Sequence, residues 1–420
     1  TCPRRCHLAT IRRDKLMRVV LINHCHPETP HVCAIRMREF ANAMTRRGHK
    51  IVLFTETIEG QTILEPLEKL STRFQQHSFD TPLHIATSPS GFPLLKLLRQ
   101  GRLPWGIRQI VISWYFLRHQ GVFADWRYSS RPYLRVLAKE FKPDIIWSSF
   151  GGSDCWNIAR DLSRMAGCPW VADIKDNWEV SIPTPLKRWL ARYYENATAL
   201  TAFSEFHLSK SEPFFPMEKH VLYSGLNTSL MASARIQDTG CFQISLIGSI
   251  YNKTYLKTVL RTISKWSNEP NSTVKKIKFI YVGTAEMEIR AILSTLKLCF
   301  DIEFRPYLNQ KDYYSLLKSS HLNLYIRNET TFHHKVFELI AARRPVICYP
   351  AETQEVTREA KARLSPFFSC NSSDEILEAL QTAAMKPDLS EEANFRQTDW
   401  ADRAVTLERL LLEHVNPPVR

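Results

Sequence analysis

A lysine and a glutamate three residues apart, Lys335 and Glu338, are the residues of this chain whose types and spacing best suit ligand chemistry. They lie in the stretch FHHKVFELIAARRPVICYP, whose apolar residues have helical spacing and whose end is a β-branched run typical of a buried parallel strand. Backbone N–H groups of His333, His334 and Lys335 at the predicted helix N-terminus would bind an anion, helped by the helix dipole and the lysine charge. The stretch therefore predicts a phosphate site, in which Glu338 accepts hydrogen bonds from ribose or sugar hydroxyls. The alternative is a solvated charge pair on an ordinary amphipathic helix.

The elements that would position this pair alternate between strand and helix patterns along both halves of the chain. Predicted strands in the first half include RVVLINH, GHKIVLFTE, KPDIIWSS and CPWVADI, and those in the second half include FQISLIGS, KKIKFIYVGT, FDIEFRPY and HLNLYIR. Such alternation gives a parallel sheet with helices on both faces. We therefore predict an α/β protein with two doubly wound, Rossmann-like domains that face each other across a cleft.

The predicted domain limits follow from this alternation and from a polar stretch at 227–238. We predict an unstructured upstream extension at 1–16, an acceptor-side domain at 17–226, a donor-binding domain at 227–398, and a last helix at 399–420 that packs back on the first domain. Residues 1–16 are rich in arginine but lack the apolar segment of a secretory signal, so Met17 is the expected natural start and an organelle presequence is the alternative.

Composition narrows the class of protein. With 420 residues, 44% hydrophobic and 23% charged, the chain can bury two cores and has the profile of a globular protein. Its 10 cysteines occur without the spacing of zinc ligands, which predicts reduced thiols, a cytoplasmic location and no metal site. No apolar run is long enough to span a bilayer.

The formal charge of +14 is concentrated in the tract 95–142, where basic residues greatly outnumber acidic ones and alternate with Trp and Tyr. This composition suits an anionic membrane surface, so we predict peripheral binding at the inner face of a membrane and docking of a lipid-linked or polyanionic acceptor. Nucleic acid is not expected, because no nucleic-acid motif accompanies the tract. The alternative is a set of solvated helices that pack through their aromatic faces.

Several nucleotide-binding classes are excluded by missing motifs. The first strand-to-helix turn, NHCHPETPHVCAIR, contains no glycine, whereas the dinucleotide fingerprint requires glycines close to the pyrophosphate. A P-loop and an Asp-x-Asp motif are also missing from the sequence.

From Met17 onwards the chain resembles the family 4 glycosyltransferases. The resemblance is carried by the Lys-x-x-Glu helix followed by Pro-Val and a strand, by RMREFANAMTRRGHKIVLFTE, by PWVADIKDNWE, by YSGLNTSLM and by FQISLIGSIYNKTYLKTVL. The chain departs from the family pattern where Arg343 replaces a glycine, Thr330 replaces an acidic residue, and Ser249 follows Gly248 in place of an arginine.

The resemblance implies a two-domain GT-B enzyme that transfers a sugar from a nucleoside-diphosphate sugar, UDP- or GDP-linked, to a glycan or lipid-linked hydroxyl. It further implies a retaining, metal-independent reaction in polysaccharide, lipopolysaccharide or glycoconjugate synthesis, with no separate cofactor. The implied catalytic residues are Asp176, Lys335 and Glu338. The implied donor-binding residues are Gly248, Ser249, Lys253, Gly283, Arg305, Tyr307, His333, His334, Lys335 and Glu338.

Two alternatives to this function stay open. A nucleotide-sugar 2-epimerase shares the architecture but needs no acceptor, and a degenerate member would bind a partner without catalysis. At the residue level, Asp173 and Asp176 follow a strand closely and could instead cap the next helix.

Overall fold

The chain forms two compact units in a computed structural model that describes residues 16–58, 66–227, 240–269, 274, 276–385 and 398–415. The first unit is Thr1–Tyr223 with Ala404–Arg420, and the second is Ser224–Arg403. Apart from Leu16 and Asn227, the predicted extension at 1–16 and the predicted boundary loop at 227–238 lie outside the described residues.

The first unit is built on a seven-stranded sheet with the order β3-β2-β1-β4-β5-β6-β7, in which every neighbouring pair is parallel. Its strands are β1 (Arg18–Asn23), β2 (Lys50–Glu56), β3 (Leu83–Thr87), β4 (Ile145–Phe150), β5 (Trp170–Ile174), β6 (Ala199–Ala202) and β7 (Glu218–Val221). A central strand such as β4 is buried along its whole length, which explains its run of apolar and small residues.

Helices connect these strands and cover the sheet. They are α1 (Val32–Arg46), α2 (Leu67–Gln76), α3 (Pro93–Arg99), α4 (Trp105–His119), α5 (Ala124–Val136), α6 (Ser153–Ala166), α7 (Trp178–Ser181), α8 (Lys187–Tyr193) and α9 (Glu205–Ser211). The described residues of this unit also contain a π-helical turn at Leu137–Phe141 and a 3₁₀ turn at Thr184–Leu186.

The second unit repeats the design on a six-stranded parallel sheet with the order β10-β9-β8-β11-β12-β13. Its strands are β8 (Phe242–Ile247), β9 (Ile277–Val282), β10 (Ile302–Arg305), β11 (Leu322–Ile326), β12 (Val346–Tyr349) and β13 (Phe367–Ser369). Its helices are α10 (Lys253–Ser267), α11 (Glu286–Leu293), α12 (Gln310–Ser319), α13 (Lys335–Ala342), α14 (Gln354–Ala362) and α15 (Ser373–Met385). The last helix, α16 (Trp400–Val415), begins at the end of this unit and continues into the segment that belongs to the first.

A buried ion pair fixes the end of β5 against α1. Arg36 Nη2 donates to Asp173 Oδ1 at 3.0 Å, and the two side chains are 1% and 0% exposed. The Thr201 hydroxyl donates to the same carboxylate oxygen at 2.7 Å. Asp173 therefore holds the sheet to α1, and the alternative in which it caps the next helix is wrong: the N-cap of α7 is Asn177.

The structure corrects one predicted helix and adds two strands. The pattern of Tyr133–Phe141 predicts a helix, and in the structure that helix begins earlier, at Ala124, with Pro132 inside it. The unpredicted strands β3 and β13 are both at sheet edges, where a strand is short and only half-paired, so its pattern is weak. Among the described helices, none has both the length and the apolar character to cross a bilayer.

Candidate functional site

The Lys335–Glu338 helix lies where the strand order of the second sheet reverses. β8 stands between β9 and β11, so the chain leaves β8 and β11 in opposite directions along the sheet. A crevice forms at such a switch point, outside the carboxyl ends of the strands, and it is the usual ligand site of an open α/β sheet. Here it is bordered by the turn after β8, which contains Gly248, and by the loop between β11 and α13.

Lys335 places its ammonium against the end of β8. Its Nζ donates a hydrogen bond to the Ile247 carbonyl and lies 5.3 Å from the centre of the Tyr325 ring. Burial lowers the pKa of Lys335 to about 8, and the Glu338 carboxylate opposes this shift only in part. A buried ammonium with so little compensation is stabilised by any anion that reaches the adjacent turn.

Gly248 makes this close approach possible. Its φ is +99°, and a Cβ at this position would lie 3.0 Å from Lys335 Nζ. The turn is braced by Tyr281, whose hydroxyl donates to the Gly248 carbonyl at 2.9 Å and accepts from the Ala285 N–H at 3.1 Å. Gly283 is required by the same contact, since a Cβ there would lie 2.4 Å from the Tyr281 hydroxyl.

Glu338 is held by two tyrosines that the sequence analysis did not find. Its carboxylate accepts from the Tyr313 hydroxyl at 2.6 Å and from the Tyr314 hydroxyl at 3.0 Å. Burial raises the pKa of Glu338, although both hydrogen bonds and Lys335 oppose the shift. The two tyrosine hydroxyls thus fix the orientation of the Glu338 carboxylate. A ribose bound here would add its hydroxyls to these donors or would replace them. Only the tertiary packing of α12 on α13 shows this contact, because nothing in the local spacing of two adjacent tyrosines marks it.

The two histidines before the helix lie differently from the prediction. The helix begins at Lys335, with His334 as its N-cap and His333 outside it. Their carbonyls accept from Phe337 N–H at 2.9 Å and Val336 N–H at 3.2 Å, so the histidines form the entering turn. The ring of His333 stacks on Tyr251, with centroids 5.0 Å apart. The expectation that both histidines are the first residues of the helix is therefore corrected: they form a turn before it, and the first helical residue is Lys335.

The remaining predicted donor residues are spread along the carboxyl edge of the same sheet. Ser249 lies in the turn after β8, and Lys253 is the exposed first residue of α10, whose N-cap Asn252 accepts from Thr254 N–H at 2.9 Å. Arg305 ends β10 and pairs with Glu303 at 2.6 Å, while Tyr307 beyond it is 71% exposed. The structure thus brings Gly248, Gly283, Lys335 and Glu338 into one cluster, whereas Lys253 begins α10, and Arg305 and Tyr307 lie at and beyond the end of the edge strand β10.

The loop before α13 offers a carboxylate at Glu329. Thr330 directs its hydroxyl and its N–H to Asn328 Oδ1, at 2.8 Å and 3.2 Å. Glu329 accepts from the Tyr255 hydroxyl at 2.7 Å, which ties the loop to α10. A carboxylate of this loop is therefore anchored one position away from the family pattern.

In the first unit, Asp176 lies in a charged cluster after β5. It pairs with Lys175 Nζ at 2.8 Å and accepts from Cys33 Sγ at 3.4 Å, and its side chain is 44% exposed. Burial acts to raise the pKa of Asp176, but the Lys175 ammonium and the hydrogen bonds outweigh it and lower the pKa. Asp176 is therefore an ionised group and a weak base.

A further polar cluster lies at the switch point of the first sheet, in the loop between β1 and α1. His24 Nε2 lies 3.1 Å from Cys25 Sγ, which lies 3.5 Å from His31 Nδ1. A Cβ at Gly151, after β4, would lie 1.6 Å from His24 Nδ1, so only glycine fits there. The sequence signal for this cluster is the density of histidines and cysteines in NHCHPETPHVCAIR, which the lack of glycines alone does not reveal.

Next to this loop is a cavity of about 960 Å³, lined by the ends of β2 and β3 and by α3 and α5. Glu56, at the end of β2, is one of its lining residues. Burial raises the pKa of Glu56 to about 7, with Arg99 opposing. A carboxylate that titrates near neutral pH in a concave site is a candidate general base.

Comparison with known proteins finds the fold but no close relative. No protein-family model matches the sequence, and no curated protein matches it either. Among solved structures, Anabaena HepE in complex with UDP-glucose is 11% identical with a TM-score of 0.55, and the match covers 94% of this chain and 100% of that one. Sucrose-phosphate synthase from Thermosynechococcus elongatus is 11% identical with a TM-score of 0.63, over 94% and 98% of the two chains.

An epimerase has a similar fold. A putative UDP-N-acetylglucosamine 2-epimerase from Listeria monocytogenes is 12% identical with a TM-score of 0.57, and the match covers 95% of this chain and 97% of that one. At these identities the matches show the architecture alone. Together with the two parallel sheets, they show that the chain has the two-domain α/β fold of the GT-B type.

Proposed function

We propose that this chain of GT-B fold is a glycosyltransferase that moves a sugar from a nucleoside-diphosphate sugar to a hydroxyl of a glycan or lipid-linked acceptor. The observation that carries the proposal is the Lys335 ammonium held against the Gly248 turn at the switch point of the second sheet, with Glu338 three residues further along the same helix. A cation at this place suits phosphate, and a fixed carboxylate suits vicinal hydroxyls.

The donor is a UDP- or GDP-sugar in this proposal. Its diphosphate would lie at the Gly248 turn, near the ammonium and the backbone N–H of Lys335, and Glu338 would accept hydrogen bonds from the ribose hydroxyls. Lys253 would add a second positive charge, and Arg305 and Tyr307 would lie at the base. The complex of the similar protein HepE with UDP-glucose supports a uridine nucleotide as the first to test.

The same groups would act in catalysis. Negative charge grows on the diphosphate as the sugar leaves, and a pre-positioned ammonium with backbone N–H groups stabilises that charge in the transition state. This arrangement fits a metal-independent transfer, and the family resemblance supports retention of anomeric configuration. Asp176, ionised beside Lys175, would accept a hydrogen bond from the transferred sugar or the acceptor.

The acceptor would bind to the first unit, in the cavity that contains Glu56. A carboxylate whose pKa is about 7 accepts a proton from an attacking hydroxyl near neutral pH and releases it after the reaction. Lys96 and Arg99 line the same cavity, in which Arg99 pairs with Asp125.

We also propose that α4 binds an anionic membrane surface, which would suit a lipid-linked acceptor. Ile107, Ile110, Trp114 and Leu117 are spaced along one face of this helix and are 53%, 71%, 52% and 57% exposed. Buried Val111 and Tyr115 hold the opposite face to the unit. Exposed apolar residues beside arginines suit the boundary of headgroups and acyl chains. Part of the positive charge of the tract 95–142 is not available to bind lipid headgroups, because Arg127 pairs with Asp161 and Arg99 pairs with Asp125.

Flotation with liposomes tests this surface. The wild-type protein should float with vesicles that contain anionic lipid, and Ile110→Glu should remove this binding. Val180→Glu is the matched control, since Val180 is 74% exposed in the same unit on a different helix. Equal flotation with neutral and anionic vesicles would contradict the proposal.

The donor site is tested by thermal stabilisation with a panel of UDP-, GDP-, TDP- and CMP-sugars. One nucleotide class should raise the melting temperature of the wild type and of Lys297→Ala, an exposed lysine of the same unit, but not of Lys335→Ala. No shift with any nucleotide would reject the donor site and favour a non-catalytic binding protein.

The similar fold of the Listeria protein makes 2-epimerisation of a nucleotide sugar the second candidate. The two reactions differ in their need for an acceptor. Consumption of the donor only when a glycan or lipid-linked acceptor is added supports transfer. Formation of a new nucleotide sugar without any acceptor supports the epimerase.

A further inference from the structure

Three potential metal ligands meet where the last helix contacts the edge of the first sheet. Glu218 and His220 are two residues apart on the edge strand β7 and therefore point to the same face, and His414 lies on α16. One ligand atom from each residue lies within 4.8 Å of the others. His220 Nε2 is 3.2 Å from Glu218 Oε1, and the two imidazole rings have centroids 6.3 Å apart.

One imidazole nitrogen of each histidine in this cluster, Nε2, is buried without a satisfied hydrogen bond. Within the described part of the chain, Nε2 of both His220 and His414 is inaccessible to solvent and makes no hydrogen bond of acceptable geometry, although His220 Nε2 lies at ion-pair distance from Glu218. Buried polar atoms normally have partners, so a buried imidazole nitrogen without a hydrogen bond is available as a metal ligand.

We propose that Glu218, His220 and His414 bind a divalent transition metal, with Zn²⁺ as the best fit. Two imidazole nitrogens and one carboxylate are ligands for zinc and its neighbours, whereas calcium and magnesium take oxygen ligands. Three protein ligands leave one position for water, and the exposure of Glu218, whose side chain is 62% accessible, leaves room for it.

The metal would fasten the last turns of α16 to the sheet edge. Earlier in α16, Glu408 already forms an ion pair with Arg47 and lies 2.8 Å from His49 Nε2, so the middle of the helix is held by these two contacts. A bound metal would add a second attachment one to two turns later and would cover part of the edge strand β7. This site is in the first unit and takes no part in the proposed donor binding, so it stands or falls independently of the proposed function.

Zinc titration of the full chain tests the proposal. Metal is first removed with a chelator, and Zn²⁺ is then titrated in competition with a chromogenic chelator. His220→Ala and His414→Ala should each lose one metal equivalent, or bind it more than about tenfold more weakly, because even the loss of an outer hydrogen-bond partner weakens zinc sites by 10- to 100-fold. His77→Ala, which removes a histidine elsewhere in the first unit, is the control and should bind as the wild type does.

Cobalt spectroscopy separates this site from the thiols of the β1–α1 loop. Co²⁺ bound by nitrogen and oxygen gives visible d–d bands without a strong sulfur-to-metal band in the near ultraviolet. His414→Cys should add that sulfur band, because the new thiolate would replace an imidazole ligand. Circular dichroism of the metal-free variants checks that each one is folded.

Identical metal binding by the wild type, His220→Ala and His414→Ala would overturn the proposal. The absence of a new sulfur band in a folded His414→Cys variant would do the same.

Discussion

At the scale of single residues, the candidate donor site depends on a lysine whose charge is poorly accommodated before a ligand arrives. Lys335 is needed as a cation, yet the fold removes its ammonium from water and compensates it with a backbone carbonyl, an aromatic face and a nearby carboxylate. A buried charge that destabilises the ligand-free protein is typical of binding sites, where the ligand supplies the missing counter-charge.

Lys335→Met should therefore stabilise the ligand-free protein while it abolishes the thermal shift with the donor. Because the folded-state pKa of about 8 lies below the ordinary lysine value, the wild type regains stability as the pH rises through the interval between the two. At roughly 1.4 kcal/mol for each pH unit by which the pKa is lowered, the gain of the variant should be about 3 kcal/mol at pH 7 and below about 1 kcal/mol at a pH of about 10. Urea unfolding at the two pH values measures it. A variant that is less stable than the wild type at pH 7 would show that the hydrogen bond to Ile247 outweighs the burial of charge.

At the scale of elements, helix α13 ends on a residue with an unfavourable backbone conformation. Arg343 has φ +56° and ψ +29°, the left-handed conformation in which helices usually end on glycine. This is the position at which the sequence departs from the family pattern, and the structure shows that the conformation is kept although the glycine is not.

Arg343→Gly should thus relieve strain at the end of α13. The matched control is Arg343→Ala, which removes the same side-chain contacts but keeps the Cβ. The glycine variant should be more stable than the alanine variant by about 1 kcal/mol in equilibrium unfolding. Equal stabilities would mean that the backbone there is not strained.

The elements also show what could be predicted from the sequence and what could not. Buried central strands such as β4 were predictable because both of their faces are covered and their residues form continuous apolar runs. The edge strands β3 and β13 were not predictable in this way. The hydrogen bonds from Tyr313 and Tyr314 to Glu338 were not predictable either, because they join side chains 25 and 24 residues apart in the sequence. The elevated pKa of Glu56 was equally hidden, since it arises from burial in a cavity that several separate segments form.

At the scale of the whole molecule, buried titratable groups lower the stability of the fold both when the pH rises and when it falls. The carboxyl groups of Glu56 and Asp154 have pKa values raised by burial, to about 7 and about 6, so each loses its stabilising contribution as the pH rises through the interval above its ordinary pKa. Burial of His84 lowers its pKa to about 4, so its contribution is lost as the pH falls below the ordinary histidine value. The first unit should therefore be most stable in mildly acidic solution.

Glu56→Gln should remove the part of the pH dependence of stability that comes from the Glu56 carboxyl group. The variant should match the wild type at about pH 4.5, where the native glutamate is protonated, and should melt higher than the wild type at pH 8 by roughly 2–4 °C. Melting curves at both pH values provide the measurement. A variant that melts lower at pH 8 would indicate that the ionised carboxylate has a stabilising partner, with Arg99 as the first candidate.

The contact between Lys335 and the end of β8 also couples ligand binding to protons. Near pH 8 a substantial fraction of the ligand-free protein carries a neutral lysine, because burial has brought its pKa to about that value. A diphosphate beside the ammonium raises the pKa again, so each binding event takes up part of a proton from the solution. The heat of donor binding would then differ between buffers of different ionisation enthalpy, and the affinity would fall as the medium becomes more alkaline. An alkaline medium would thereby weaken binding of the proposed donor without any change in the concentration of that donor.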